Sequence, residues 1–144
     1  MATAESCTGG YISKRLTEVS GASAVLGYGV CTYANEAKEK LLGVSHQTLE
    51  QFGAVSSQTA REMADGVRRL SGADIGISTT GIAGPLGGSQ EKPVGLVYVG
   101  VSSNHFNDVL ELHINPRSDD AREYIRYIAS SHALHLLWKT ADMA

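Results

Sequence analysis

The sequence predicts an α/β fold, a three-layer α/β/α sandwich around a mixed, mostly parallel sheet. Three observations carry that expectation. Strand-like apolar runs alternate with segments of helical periodicity through the early part of the chain. Two strand-like runs then follow one another directly, which makes the sheet mixed. The chain has 144 residues, the size of one domain, and a chain this long hides roughly 70% of its unfolded surface. A single core spanning residues 1–144 is therefore expected, without disulfide or metal staples.

The elements follow in order. Ala2–Glu5 is a stub of strand running straight into Ser6. A helix is expected over about residues 9–18, with Ile12, Leu16 and Val19 on one face. Val25–Tyr33 mixes β-branched, aromatic and glycine residues and reads as a strand with room for a bulge. Asn35 is placed as the N-cap of a short helix ended by Gly43, and Ser45 as the cap of another ended by Gly53. Ser56 or Ser57 opens a longer helix in which Ala60, Met63, Ala64, Val67 and Leu70 keep helical spacing, with Gly72 as its stop. Ile75–Thr79 is a short apolar strand, and the glycines and prolines of residues 80–93 make that segment a loop. Val94–Ser102 is nearly all apolar and is expected inside the sheet. Val109–Ile114 forms a further strand, and Ser118 or Asp119 caps a terminal helix reaching about Thr140.

Composition narrows the function classes. Twelve Lys and Arg stand against fifteen Asp and Glu, a formal net charge of -3, which argues against a nucleic-acid partner and its clustered basic face. No apolar run approaches the ~20 residues that span a bilayer, and residues 1–6 lack the basic start and apolar stretch of a signal peptide. The two cysteines, Cys7 and Cys31, form no C-x-x-C pair. A reduced, cytoplasmic domain with no membrane partner is expected.

Four constellations carry possible chemistry. In Glu5-Ser-Cys-Thr-Gly-Gly10, small hydroxyl residues and paired glycines sit where a strand gives way to a helix. The free N–H groups of a helix start suit a phosphate or a developing oxyanion. Ser6 or Thr8 is then a nucleophile or, as the more frequent outcome for such residues, an N-cap. Cys7 is the rival nucleophile, although a free cysteine more often packs as a small hydrophobe. No P-loop and no G-x-G-x-x-G accompanies the turn. In Tyr33-Ala-Asn-Glu-Ala-Lys38, a lysine with a lowered pKa can serve a serine as base and a tyrosine can relay the proton. Taken alone, Lys38 reads as a solvated helix residue and Tyr33 as a strand-end aromatic.

The five histidines (46, 105, 113, 132, 135) read as surface or core positions, and no metal-ligand spacing appears. The glycine loop, with Gly81, Gly84, Gly87 and Gly88, lets several N–H groups converge on an anion, helped by Thr79, Thr80, Ser89 and Lys92. Arg122 and Arg126, one helical turn apart, can clamp a phosphate or carboxylate.

Together these segments resemble the C-terminal domain of the CinA (competence/damage-inducible protein) family, the nicotinamide-nucleotide amidohydrolases. The matching stretches are Thr3–Gly10, Tyr33–Lys38 with Leu41–Val44, Gly53–Ser56, Thr80–Pro85 and Glu91–Gly95, ending loosely at Arg122 and Arg126. The resemblance implies hydrolysis of nicotinamide mononucleotide to nicotinate mononucleotide and ammonia, with no metal and no organic cofactor. It implies Ser6 as nucleophile activated by Tyr33 and Lys38, and substrate binding by Thr8, Gly9, Gly10, Thr80, Gly81, Gly84 and Arg122. It also implies possible self-association into a homo-oligomer.

Two departures accompany the resemblance. Family members carry a helix and most of the first strand before the Ser motif, whereas this sequence begins at Met1-Ala-Thr-Ala, and residues 115–121 stand where the family has a short Gly-Asp turn. The runner-up reading is therefore a non-catalytic nucleotide-binding or interaction domain with the same pocket. A hydrolase acting on another carboxamide comes third.

Overall fold

The computed structural model describes residues 1–116 and 121–143. In chain order the elements are β1 (Ala2–Glu5), α1 (Tyr11–Thr17), β2 (Tyr28–Cys31), α2 (Asn35–Leu42), α3 (His46–Phe52), α4 (Ser57–Ser71), β3 (Gly76–Gly81), β4 (Leu96–Ser102), β5 (Asn107–His113) and α5 (Ala121–Asp142). The strands form one sheet of order β2-β1-β3-β4-β5. β1 pairs in parallel with β2 and β3, whereas β3–β4 and β4–β5 are antiparallel. The sheet is mixed and mostly parallel in direction as expected: β1, β2, β3 and β5 run one way and β4 runs against them. The reversal at β4 lies in the connections: no helix separates β3 from β4 or β4 from β5, and strands without a crossover reverse direction.

The period-two alternation of the strands sorts the core into two layers. Ile77 of β3 and Val97, Val99 and Val101 of β4 pack with Ile12 of α1 and Ile125, Ala129 and Leu136 of α5. On the other face, Ala2 and Ala4 of β1 pack with Leu42 of α2, Leu49 of α3, and Met63 and Val67 of α4. Gly76 and Ser78 of β3 and Gly100 of β4, where these strands meet α4, are small. A Cβ on Gly76 would stand 2.3 Å from the Ala64 carbonyl oxygen, and one on Gly100 2.5 Å from that of Ala60. The Ser78 hydroxyl donates to the same Ala60 oxygen at 2.6 Å. α4 therefore lies almost on the backbone of the sheet.

Local sequence explains most boundaries. Ser45 and Ser56 cap α3 and α4, accepting from the Thr48 and Thr59 N–H groups at 3.4 and 3.2 Å. Gly72 ends α4 in the left-handed conformation, φ 69°. Some expectations are corrected. Ala34, not Asn35, occupies the N-cap of α2, and Asn35 is its first helical residue. α1 is shorter than expected because Gly10 precedes it at φ 100°, and Val19 lies beyond it, exposed. β2 covers only Tyr28–Cys31, in unbroken register with β1 and hence without a bulge. β4 starts at Leu96 because Gly95 turns the chain at φ 97°. The cap expected at Ser118 or Asp119 lies outside the described residues.

α2 and α4 approach closely at Gly66, where a Cβ would stand 2.1 Å from the carbonyl oxygen of Leu42. In an ordinary exposed helix, Gly→Ala stabilises by about 1 kcal/mol. Here the obstacle is backbone, so Gly66→Ala is expected to destabilise by about 1–3 kcal/mol. Urea unfolding checks the sign, and a gain in stability would refute the close α2–α4 approach.

Candidate active site

Glu5 and Ser6 are consecutive, and alternation sends their side chains to opposite faces of the sheet. Glu5 is wholly buried on the α1 side. Its carboxylate accepts from the Ile12 and Ser13 N–H groups at 2.8 and 3.1 Å, from Ser13 Oγ at 3.0 Å and from Thr8 Oγ1 at 2.7 Å. The carboxylate thus caps α1, the task that sequence reading offered to Ser6 or Thr8. It was legible as the one charge in a short strand just before a helix, a position where burial demands several donors. Thr8 is buried too. Its hydroxyl donates to Glu5 and accepts from Thr79 Oγ1 at 2.7 Å, so it braces the turn from within.

Ser6 faces α2, and the expected partner meets it there. Lys38 is 0% exposed, not the solvated residue its surroundings in sequence suggest when taken alone. Its Nζ lies 3.0 Å from Ser6 Oγ, 2.7 Å from the Thr32 carbonyl oxygen and 3.2 Å from that of Tyr33. Burial pushes the Lys38 pKa below the usual lysine value. A neutral amine has two N–H groups and one lone pair. With the N–H groups on the two carbonyls, the lone pair is left for the Ser6 proton. Cys7 stands next to this pair but is no rival: burial raises its thiol to about 12, and it packs in the α1–α5 core.

Tyr33 contributes to Lys38 through its carbonyl. Its side chain is 62% exposed, and its hydroxyl accepts from Arg122 Nη2 at 3.1 Å. Arg122 Nη1 donates to the Gly84 carbonyl at 2.7 Å, so one guanidinium joins α5, the glycine loop and the β2–α2 connection.

Thr80, Gly81 and Gly84, three of the residues expected to bind substrate, pack against the chain itself. Thr80 is buried and donates to the Ala54 carbonyl at 2.7 Å, and Lys92 Nζ donates to that of Phe52 at 2.6 Å. A Cβ on Gly81 would approach the Leu96 oxygen to 2.6 Å, and one on Gly84 Val94 Cγ1 to 2.5 Å. These glycines allow close packing, and the Thr80 hydroxyl is spent on the chain's own backbone. Gly9 and Gly10, with Tyr11, Lys14, Glu123 and Arg126, border an open cleft of about 410 Å³. A depression of about 400 Å³ at the other end of the strands, by Met1, Asp74 and His105, is remote from Ser6.

The family model for the CinA C-terminal domain matches residues 1–141. The chain belongs to the CinA C-terminal domain family. A CinA-like protein from Desulfovibrio desulfuricans is 55% identical over 138 residues, covering 95% of this chain and 32% of that protein. The chain thus spans about a third of the length of the curated relatives it matches. Among solved structures, the competence/damage inducible protein CihA from Agrobacterium tumefaciens is 47% identical, with a TM-score of 0.88 over 96% of this chain and 82% of that one. A CinA superfamily protein from Escherichia coli is 35% identical at the same TM-score, covering 96% and 78%. The mixed sheet with helices on both faces is accordingly the fold of CinA proteins. Among the described residues, no helix is long and apolar enough to cross a membrane, and no group of three His, Cys, Asp or Glu is placed to hold a metal ion.

The buried amine of this CinA domain carries a stability signature. With its folded pKa depressed, Lys38 binds fewer protons in the native state than in the unfolded chain, between the depressed value and the ordinary value of about 10.4. Its burial therefore costs stability fully below that window and ceases to do so above it. Lys38→Met keeps the stem and removes the titration. The variant is expected to match or exceed wild-type stability near neutral pH, with the difference closing as pH rises toward about 10. Denaturant unfolding across that range checks it, and a constant difference would show that the amine is not desolvated.

Proposed function

We propose that the chain hydrolyses the carboxamide of nicotinamide mononucleotide to nicotinate mononucleotide and ammonia, with Ser6 as nucleophile and Lys38 as general base. The observation that carries this reading is the 3.0 Å contact between Ser6 Oγ and the fully buried Lys38 Nζ. The substrate comes from the family resemblance, and the chemistry from the pair. Lys38 takes the Ser6 proton as Oγ attacks the carboxamide carbon. It then gives that proton to the departing nitrogen, so that ammonia leaves and an ester on Ser6 remains. Water attacks the ester, Lys38 takes its proton, and Ser6 recovers it as nicotinate mononucleotide departs.

The rest of the nucleotide is assigned to the turn that follows Ser6. The cleft of about 410 Å³ beside Gly9 and Gly10 is within the range of small-molecule sites. Arg126, which borders this cleft, offers a cation for a phosphate, and Arg122, which the resemblance assigns to substrate, is tied to Gly84 and Tyr33. Tyr33 supports the base through its carbonyl and orients Arg122 through its hydroxyl.

The experiment is ammonia release from nicotinamide mononucleotide by wild type, Ser6→Ala and Lys38→Ala. Wild type is expected to turn over, Ser6→Ala to lose activity, and Lys38→Ala to fall by the 10²–10⁴-fold typical of a general base. Silence from a folded wild type overturns the activity, and unchanged turnover in either variant overturns that residue's role.

A further inference from the structure

The cleft beside Gly9 and Gly10 holds a carboxylate that the chemistry above does not use. Residues from the first two turns of α1 and α5 complete its border: Tyr11, Lys14, Glu123 and Arg126. Most of the N–H groups along the turn are already spent. Those of Ile12 and Ser13 donate to Glu5 at 2.8 and 3.1 Å, and those of Gly9 and Tyr11 to the Ser6 and Thr8 carbonyls. Holding an anion here therefore falls mainly to side chains. The Tyr11 hydroxyl donates to Glu123 Oε1 at 2.8 Å. Arg126 Nη2 donates to the Thr8 carbonyl at 3.0 Å, while Nη1 stands 3.6 Å from Glu123 Oε2, too far for a hydrogen bond. The guanidinium is thus anchored at one nitrogen and loosely paired at the other.

We infer that Tyr11 and Arg126 form a phosphate subsite in which the Glu123 carboxylate holds the place of a mononucleotide's phosphate and is displaced when that phosphate binds. The inference rests on the reading of the chain as a nucleotide hydrolase given above. Glu123 is the only acid on a border that also carries two cations. Its side chain is 49% exposed and its pairing with Arg126 spans one helical turn, so the contact contributes little and is readily given up. A phosphate brings about two negative charges and three acceptor oxygens. It can accept from the Tyr11 hydroxyl and from Arg126 Nη1 together, which Glu123 does not do at hydrogen-bond distance. Gly9 keeps the approach open, since a Cβ there would stand 3.2 Å from Arg126 Nη2. The other charged groups nearby are engaged elsewhere. Lys14 pairs with Glu18, Arg15 bonds Ser130 and Ser131, and Arg122 turns to Gly84 and Tyr33. A nucleoside without a phosphate leaves Glu123 in place, so the subsite selects for the mononucleotide.

The test is Glu123→Gln, which keeps an oxygen for Tyr11 and removes the charge. Binding is followed by NMR titration at the Gly9 and Gly10 amides, at constant ionic strength. The probes are inorganic phosphate, nicotinamide mononucleotide and nicotinamide riboside, all in a Ser6→Ala background that leaves the carboxamide intact. Glu123→Gln is expected to bind both phosphate-bearing probes about two- to fivefold more tightly, the scale of one exposed charge pair, and the riboside no better. Arg126→Gln is expected to weaken the same two probes at least about tenfold, the loss of a charged hydrogen bond, and to spare the riboside. Equal or weaker phosphate binding in Glu123→Gln overturns the inference, as does an equal loss of riboside in Arg126→Gln. Inorganic phosphate involves no turnover, so it decides the subsite even if the chain hydrolyses no amide. Conversely, ammonia release by the unmutated chain at the same kcat/KM from mononucleotide and riboside would keep the proposed reaction and refute the subsite.

Discussion

The whole site depends on one step of backbone alternation at the end of β1. Glu5 and Ser6 leave the strand in opposite directions, and each finds what its chemistry requires. Glu5 turns to the α1 side, where four donors compensate a carboxylate cut off from water. Ser6 turns to the α2 side, where an amine waits at 3.0 Å. A slip of one residue in the pairing of β1 would exchange the two, placing a charge beside Lys38 and a hydroxyl under α1. β1 is held against that slip from both sides, paired in parallel with β2 and β3 over all four of its residues.

Depth is the second constraint, and it comes from packing. Lysine becomes a base near neutral pH only when desolvation disfavours its charge, so α2 must bring Lys38 below the surface. α2 lies close to α4 because Gly66 has no side chain to keep the Leu42 carbonyl away. α4 in turn rests on the sheet because Gly76, Ser78 and Gly100 face it. A stripe of small residues far from the chemistry thus sets how deep the amine sits. Packing, more than any direct contact with Lys38, makes the residue a candidate base.

The fold class and most element boundaries were legible in the sequence, because serine caps and glycine stops act locally. The Ser6 and Lys38 pairing was legible only through the family motifs. Periodicity alone makes Lys38 a surface residue, since its burial is decided by how α2 meets β1 and α4, which no local window contains. The direction of the Tyr33 hydroxyl and the inward turn of Thr8 and Thr80 were not legible either. A hydroxyl in a glycine-rich segment reads the same whether it donates to a ligand or to a carbonyl of its own chain. The role of Glu5 stood in plain view as a lone charge in a buried strand. Local capping rules still miss it, because a carboxylate seven residues ahead of its N–H partner matches no local capping pattern.

The site divides into a buried centre and an exposed rim, and Tyr33 belongs to both. Its carbonyl is one of the three partners of Lys38 Nζ, and its hydroxyl is tied to Arg122. Arg122 in turn holds the glycine loop through Gly84. Displacement of Arg122 at the rim therefore bears on a residue whose backbone helps hold the amine. The backbone end of that link is rigid, because Tyr33 lies between Thr32, anchored to β1, and the first turn of α2, where the Lys38 N–H donates to the Ala34 carbonyl at 3.2 Å. The side-chain end is largely in solvent and free to change partners. Such a division suits a site in which the group that meets a ligand must adapt while the group that moves a proton must not.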